Sequence, residues 1–185
     1  MRKLLLALAA LIISFALAQA KDWQIDTAQS KLGFVGDQNG EKFQGGFKKF
    51  DAQISFDPDH PDSGKITVTV DIASITTGDD ERDAYLPQDG WFHTSVFPTA
   101  QFVATTFRKT GENAFEADGA LTLKGMTRKL TLPFTLVPET DHWRARGHVI
   151  LMRNDFSIGT GNFAGEAYVK HEVEVVIDLA AKPVP

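Results

Sequence analysis

Five histidines carry the most versatile chemistry in this chain, because imidazole binds metals and moves protons near neutral pH. They are His60, His93, His142, His148 and His171. A metal site needs ligands that converge at short spacing. His142 and His148 are six residues apart and have no carboxylate at ligand spacing. We interpret the histidines as surface or core-edge residues, and we predict no metal site.

Patterns for other kinds of chemistry are weak as well. The segment Gly159-Thr-Gly161-Asn-Phe-Ala-Gly165 lacks the spacing of the dinucleotide fingerprint, and no helical pattern follows it, so it predicts a flexible turn. No serine lies in a nucleophile elbow, and no pair of carboxylates has neighbours that would raise one pKa. The absence of cysteine excludes disulfides, thiolate metal sites and a lipid-bearing cysteine. We predict no catalytic residue.

Apolar surface is what the chain has in excess. It holds 14 phenylalanines, more than a thin packed core requires. Residues 91–102 alone contain four aromatic side chains, and Pro98 with the polar run His93-Thr-Ser prevents one regular strand there. We interpret this stretch as an aromatic connector between two strand-rich halves. Composition leaves two interpretations open, a well-packed aromatic core and a cavity for an apolar ligand.

The first twenty residues have the pattern of a cleaved export signal. Arg2 and Lys3 precede a charge-free run over 4–17, and Ala18-Gln-Ala20 has the small residues that signal peptidase reads. The run is shorter than the roughly twenty residues of a membrane-spanning helix. We expect a signal peptide over 1–20 and a soluble mature domain over 21–185.

Loss of this segment leaves an acidic protein. Of the 19 basic residues, Arg2 and Lys3 are removed, so 17 basic residues stand against 24 acidic ones and the net charge becomes −7. Binding to a phosphate backbone needs a basic stripe, so we exclude nucleic acid as a partner. The same charge keeps a protein soluble and away from anionic membranes.

Strand-like alternation of apolar and polar residues runs through the mature chain. It is clearest over 66–72, 115–123, 130–136 and 169–177, and short turns separate the alternating segments. We count about eight antiparallel strands, and such a sheet leaves two exposed edges unless it closes. The sequence therefore predicts an all-β fold, an eight-stranded up-and-down antiparallel barrel. One short helix is predicted over 77–86, ending before Pro87.

Alternation does not say which face is inside, and an eight-stranded outer-membrane barrel has the reverse arrangement. Three features favour an apolar interior. The C-terminal residues 178–185 are polar and broken by proline, and the non-apolar face is densely charged. Tyrosine, at Tyr85 and Tyr168 only, is too scarce to build interfacial girdles.

A barrel of this size is just wide enough to be filled by side chains or to hold one elongated ligand. A last strand over 168–179 gives a barrel height of about 30 Å, which suits a long hydrocarbon chain better than a sugar or nucleotide. We expect the cavity wall to include Phe34, Ile54, Phe56, Val68, Val70, Phe134 and Val149. We expect one end to be closed or gated by Trp91, Phe92, Phe97 and Phe102.

A set of short motifs, in order along the mature chain, resembles the YceI-like family of exported lipid-binding proteins. The matching residues are Trp23-Gln-Ile-Asp26, Ser30 with Phe34, Gly46-Phe47 and Phe50, Ile54-Ser-Phe-Asp57, Asp71-Ile-Ala-Ser-Ile-Thr76, Arg82-Asp83, Trp91-Phe92, Phe97-Pro-Thr-Ala-Gln-Phe102, Gly119-Ala-Leu-Thr-Leu-Lys-Gly125 and Arg153-Asn-Asp-Phe-Ser-Ile-Gly159.

The resemblance implies a lipocalin-like barrel that holds polyisoprenoid or related amphiphilic chains. It also implies a periplasmic location and, often, a homodimer. Many relatives carry a histidine before the serine of the first strand, where this chain has Gln29. The chain looks closer to a branch found beside cytochrome b561-like membrane proteins, which suggests a quinone-type ligand.

Two functional hypotheses follow. The first is a periplasmic carrier or scavenger that sequesters an isoprenoid-chain lipid, with no cofactor beyond the bound lipid or quinone. The second is an accessory interaction module for a membrane redox partner, with a filled barrel and an exposed apolar patch. An enzyme that acts on the lipid finds no support in the motifs.

The export signal generates the first testable prediction. Mass spectrometry of the protein from a native exporting host is expected to show a mature N-terminus at Lys21. An intact Met1 in that host would contradict the prediction.

Overall fold

The computed structural model describes residues 21–184, so the expected export signal lies outside the described residues. Within that range the chain forms ten strands and one short α-helix. The helix is α1 (Asp80–Tyr85), and the strands are β1 (Lys21–Gln38), β2 (Glu41–Phe47), β3 (Phe50–Phe56), β4 (Lys65–Asp71), β5 (Ile75–Thr76), β6 (Thr99–Lys109), β7 (Ala114–Leu123), β8 (Met126–Pro138), β9 (Trp143–Met152) and β10 (Glu172–Pro183).

Eight strand positions close into a barrel. The ring order is β1, β3, β4, β6, β7, β8, β9 and β10, every neighbouring pair is antiparallel, and β10 pairs back onto β1. The two remaining segments extend this ring, since β2 pairs with the second half of β1, and β5 pairs with β2. The predicted eight-stranded antiparallel barrel with one short helix is confirmed.

Two of the eight positions are broken strands, which explains why ten segments form an eight-stranded barrel. β2 and β3 both run antiparallel to β1 and are separated by Lys48 and Lys49. β4 and β5 are separated by a 3₁₀ turn at Ile72–Ser74. The Asp71 carboxylate caps this turn by accepting a hydrogen bond from the Ala73 amide at 3.0 Å.

Apolar side chains face the barrel interior and charged ones face outward, as the apolar-interior interpretation requires. The inner face of the β1–β2 ladder alternates large and small residues, with Phe34 opposite Gly45 and Phe43 opposite Gly36. A Cβ atom at Gly36 would lie 2.6 Å from the Phe43 ring, and one at Gly45 would overlap the Phe34 ring. The glycines therefore provide the room in which both rings lie against the wall.

The seam between β1 and β10 contains an irregularity. The register shifts between Asp26 and Lys31, where the ladder is interrupted. Buried Ser30 repairs the interruption, because its hydroxyl accepts a hydrogen bond from the Ala180 amide at 3.0 Å and donates one to the Asp26 carbonyl at 2.6 Å. Gln29 is exposed there and its side chain donates to the Asp26 carboxylate at 2.8 Å. The position at which the resemblance led us to expect histidine thus lies on the outer surface of the seam.

The N-cap of the helix lies two residues after Thr77, the residue at which the predicted helical segment begins. Asp79 is the N-cap residue, and its carboxylate accepts a hydrogen bond from the Arg82 amide at 2.9 Å. Among the described residues, no helix has the length and apolar character needed to cross a bilayer.

Gly119 on β7 provides a test of the packing. It lies opposite Ala104, beside a bulge in β6 between Ala104 and Thr106. A Cβ atom at Gly119 would meet the Val103 carbonyl oxygen and lie 2.8 Å from the Phe102 ring. Because both neighbours belong to the barrel wall, Gly119→Ala is expected to lower the free energy of unfolding by about 1–3 kcal/mol in urea titrations.

Gly165→Ala is the matched control. A Cβ atom there meets no atom within 4 Å, and the residue has no left-handed backbone. The urea concentration at the midpoint of unfolding of Gly165→Ala should stay close to that of the parent protein. Equal midpoints for both variants would show that the wall tolerates the added methyl group at Gly119.

Candidate ligand cavity

A cavity of about 270 Å³ runs along the barrel interior. Its wall extends from Trp23 and Trp143 at one end to Trp91 at the other. Along β10 the lining residues reach from Val173 to Ala181. That distance is about 26 Å of strand, or about 20 Å along the barrel axis after the usual tilt. A small volume spread over this length has the shape of an extended chain.

The structure places ten of the eleven predicted lining residues on the cavity wall. They are Phe34, Ile54, Phe56, Val68, Val70, Trp91, Phe92, Phe102, Phe134 and Val149. Eight of them are strand residues that alternation directs inward, and two belong to the aromatic connector. Whether a ligand touches them stays a prediction.

Phe97 and Phe102, both expected at the gate, differ in position from Trp91 and Phe92. Phe97 is absent from the cavity wall and packs against the β7–β8 turn, where a Cβ atom at Gly125 would lie 2.8 Å from its ring. Phe102 belongs to β6 rather than to the connector, pairs with Val68 and Leu121, and is buried in the main core. Regular strand resumes at Thr99, directly after Pro98, so the connector is shorter than the aromatic spacing indicated.

One end of the cavity is closed by packed rings, which we name the floor (Trp23, Phe56, Phe107, Phe115, Phe134 and Trp143). The Phe56 ring lies 5.2 to 5.9 Å from those of Phe107, Phe115 and Phe134. The Trp23 and Trp143 rings meet edge to face at 5.7 Å. Trp23 Nε1 donates to the Phe56 carbonyl at 2.8 Å, which satisfies the buried indole. Aromatic packing therefore seals this end.

The opposite end is covered by two irregular segments, which we name the lid (residues 86–98 and 153–169). The Phe92 side chain packs against a buried cluster of Val70, Ile72 and Ala100 at the barrel rim. The Gly90 carbonyl joins the two segments, since it accepts hydrogen bonds from the amides of Gly159 and Thr160, both at 2.9 Å. The aromatic connector thus contributes half of the lid.

Arg153 organises the second lid segment. Its side chain is 4% exposed, and its guanidinium donates to six backbone carbonyls at 2.7 to 3.1 Å. The acceptors are the carbonyl oxygens of Ile158, Gly159, Phe163, Gly165, Val169 and Lys170. Burial lowers the pKa of Arg153, and the charge of Glu166 opposes that shift. The segment predicted to be a flexible turn is therefore wrapped around a buried cation.

The same wrapping explains why the last strand begins later than residue 168. Residues 168–171 bond to the lid and to β1 instead of to β9, since the Lys170 amide donates to the Asp37 carbonyl at 3.0 Å and the Arg153 amide donates to the His171 carbonyl at 2.9 Å. β10 starts at Glu172 and keeps twelve residues.

Lys124 ties both lid segments to the β7–β8 turn. Its ammonium group donates to the carbonyl of Asp89 at 2.7 Å and to that of Ser157 at 2.9 Å. Burial lowers the pKa of Lys124, and the charge of Asp89 opposes that shift. Two cations, the buried Arg153 and the half-buried Lys124, therefore hold the lid through main-chain oxygens.

Arg82 and Asp83 attach helix α1 to the barrel rim beside the lid. Arg82 donates to the Gln38 side chain at 2.8 Å and lies 4.4 Å above the Phe43 ring. The Asp83 carboxylate accepts hydrogen bonds from Thr76 and Thr77 at 2.7 to 2.8 Å. Burial raises the pKa of Asp83, but these hydrogen bonds outweigh it and hold the pKa below the usual value.

A YceI-like domain model matches residues 23–181, almost the whole described chain. The chain belongs to the YceI-like family. The protein YceI of Escherichia coli O17:K52:H18 is 32% identical over 193 residues, covering 97% of each chain. The UPF0312 protein of Photorhabdus laumondii is 32% identical over 189 residues, covering 95% of this chain and 98% of its own.

Two solved structures match this barrel along most of its length. The structure of BcnA from Burkholderia cenocepacia matches with a TM-score of 0.82 at 32% identity, over 85% of this chain and 99% of BcnA. A polyisoprenoid binding domain from Saccharophagus degradans matches with a TM-score of 0.71 at 15% identity, over 89% of this chain and 99% of that domain. At that identity the second match shows the fold alone.

The buried Arg153 guanidinium with its six carbonyl acceptors, which we name the cation cage, is the feature of the site that sequence reasoning missed. Arg153 opens one of the motifs that carry the family resemblance, but no role could be assigned to it from the sequence. Its partners are main-chain carbonyls, which every residue has, so no spacing of side-chain types marks them. A lone arginine directly after an apolar strand end was the available signal.

Arg153→Gln is expected to release the second lid segment. The shorter neutral side chain leaves several carbonyls without a donor, so the free energy of unfolding should fall by about 3–5 kcal/mol. Hydrogen exchange measured by mass spectrometry should show early exchange over 158–171 while the floor stays protected.

The matched control is Arg108→Gln, on the exposed face of β6, where Arg108 pairs with Glu116 and Asp118. Exposed ion pairs contribute little to stability, so this variant should unfold close to the parent. Slow exchange over 158–171 in Arg153→Gln would show that the lid does not depend on the cage.

Proposed function

We propose that this protein binds a long-chain apolar lipid of the isoprenoid class inside the barrel, as a carrier or scavenger. The observation that carries the proposal is the narrow cavity, about 270 Å³ in volume, whose wall is built mostly from aliphatic and aromatic side chains. It follows the barrel axis for about 20 Å. Ligand pockets of proteins span about 300–1,000 Å³, so this one suits a thin chain rather than a bulky ring system.

Burial of the chain would drive binding. Each methylene that leaves water contributes about 0.8 kcal/mol, before the cost of ordering the chain. A sugar or nucleotide would lose its hydration here without hydrogen-bond partners in exchange, which costs several kcal/mol per polar group. The geometry therefore favours hydrocarbon over polar ligands.

The comparisons support the same class of ligand. The structural neighbour from Saccharophagus degradans is described as a polyisoprenoid binding domain. Its fold is shared over 89% of this chain. We propose that the carrier works in the periplasm, where exported YceI-like proteins are expected. A quinone with an isoprenoid tail is one ligand of the proposed class.

The alternative hypothesis, an interaction module for a membrane redox partner, was tied to a filled barrel. A cavity along the interior favours the binding hypothesis over it. The homodimer implied by the family resemblance stays part of the proposal, and light scattering of the mature protein tests it.

Lipid extraction is the direct test of the proposed function. Protein purified from an exporting host is expected to release a long-chain lipid into organic solvent, identified by mass spectrometry. After lipid removal, titration with farnesol should quench tryptophan fluorescence, because Trp23, Trp91 and Trp143 all line the cavity. Absence of both the lipid and the quench would contradict the proposal.

The double variant Trp91→Ala, Phe92→Ala tests the role of the lid. It removes the two connector rings that face the cavity and leaves the floor and walls intact. We expect affinity for farnesol, measured by calorimetry, to fall by about tenfold or more, with a smaller relative loss of stability.

Val96→Ala is the control in the same connector, since Val96 is 56% exposed and does not line the cavity. Val96→Ala should change neither the affinity for farnesol nor the stability of the protein. Equal and large losses of binding and stability in the double variant would show that Trp91 and Phe92 are core residues and nothing more.

A further inference from the structure

The indole of Trp91 has an unusual environment for a buried donor. Its Nε1 atom is buried and has no hydrogen-bond acceptor among residues 21–184. Trp23, at the floor, donates its own Nε1 to the Phe56 carbonyl at 2.8 Å. Buried donors are nearly always paired, because the unpaired group loses its water without compensation. The Trp91 N–H is therefore a site that gains from an incoming acceptor.

The other polar side chains associated with the wall are already engaged or point outward. The Arg153 guanidinium is fully used by backbone carbonyls. Arg146 is half exposed and pairs with Glu139 and Asp178 on the outer surface, and Gln101 is exposed. The other buried side-chain nitrogen without a hydrogen bond in the described chain, His142 Nε2, lies outside the wall and 3.0 Å from a Glu139 carboxylate oxygen.

The position of Trp91 gives a bound amphiphile a direction. The floor is sealed by aromatic rings, so it suits the apolar end of a chain. Trp91 lies in the lid, with its ring 5.3 Å from that of Phe163. Phe163 contacts Tyr85 and Tyr168 at 6.3 Å each, and these two side chains are exposed. The polar end of a chain would therefore lie at the lid, next to the Trp91 N–H.

The chemistry of this donor limits the head group that it suits. One N–H pairs with one acceptor oxygen. A phosphate would bring charge into a wall whose cations are already satisfied, and such burial is costly without a paired charge. The acidic residues Asp79, Asp80 and Glu81 at the start of α1, beside the lid, disfavour an anion further.

We propose that Trp91 Nε1 donates a hydrogen bond to a single uncharged oxygen at the head of the bound chain. The cavity then selects long-chain alcohols, ketones or quinones over pure hydrocarbons and over phosphorylated chains. This inference rests on the proposed function and names the head-group class that the lid recognises.

Three probes with one carbon skeleton test the inference: farnesol, farnesene and farnesyl pyrophosphate. Calorimetry on the full mature protein should give an affinity for farnesol about fivefold or more above that for farnesene, the usual effect of one net hydrogen bond. Farnesyl pyrophosphate should bind more weakly than farnesol. Trp91→Phe keeps an aromatic ring and removes the N–H, so it should lower farnesol affinity to the farnesene level and leave farnesene unchanged.

Trp143→Phe is the matched control, because it shortens a wall tryptophan at the floor. It should leave the ratio of farnesol to farnesene affinity unchanged. A measurement on the unaltered protein tests the same hydrogen bond without any substitution. With ¹⁵N-labelled tryptophan, the indole N–H resonance of Trp91 should move downfield with farnesol and stay in place with farnesene.

The outcomes separate this inference from the proposed function. Equal binding of farnesol and farnesene, with an unmoved Trp91 resonance, overturns the head-group assignment and leaves lipid binding standing. Tighter binding of farnesyl pyrophosphate overturns the preference for uncharged heads. Failure of all three probes to bind overturns both proposals.

Discussion

Closure of the sheet by the β1–β10 ladder is the constraint on which the rest of the structure depends. An antiparallel sheet with eight strand positions would otherwise expose two edges and have no enclosed interior. β1 pairs with β10 over residues 23–26 and 31–35, in two registers on either side of the bulge between Asp26 and Lys31. Ser30 replaces the missing ladder bonds there. The cavity exists because this seam holds apolar faces of all eight positions around one axis.

The two ends of the cavity are closed by different forces, and the difference bears on function. The floor is held by ring packing, which is non-directional and loses energy with any separation of the rings. The lid is held by Arg153 and Lys124, whose charges bond to main-chain oxygens of irregular segments. These hydrogen bonds come from a few donors, and loss of the Arg153 guanidinium would leave several carbonyls unpaired. A single substitution at Arg153 is therefore expected to loosen the lid while the floor stays packed.

Much of the barrel could be predicted from sequence because strand alternation is a local property. Residues such as Val68 and Val149 face inward by period two alone, and the structure places them on the wall. The lid could not be predicted in the same way. Phe97 and Phe102 share the aromatic character of Trp91 and Phe92, but their positions depend on where strand resumes after Pro98. The Arg153 cage depends on carbonyls brought together only by the folded chain.

An apolar wall alone gives this cavity little power to discriminate among chains. One methylene more or less changes binding by about 1–3 kcal/mol, and two hydrocarbons of similar width gain nearly equal burial. A polar contact distinguishes ligands of equal length by their head groups, because a ligand that lacks the partner leaves a buried group unpaired. In the proposed binding mode the walls and floor would supply affinity for any chain of suitable width. Selection among chains would then come from the end where polar atoms meet the cavity, which is the Trp91 side of the lid.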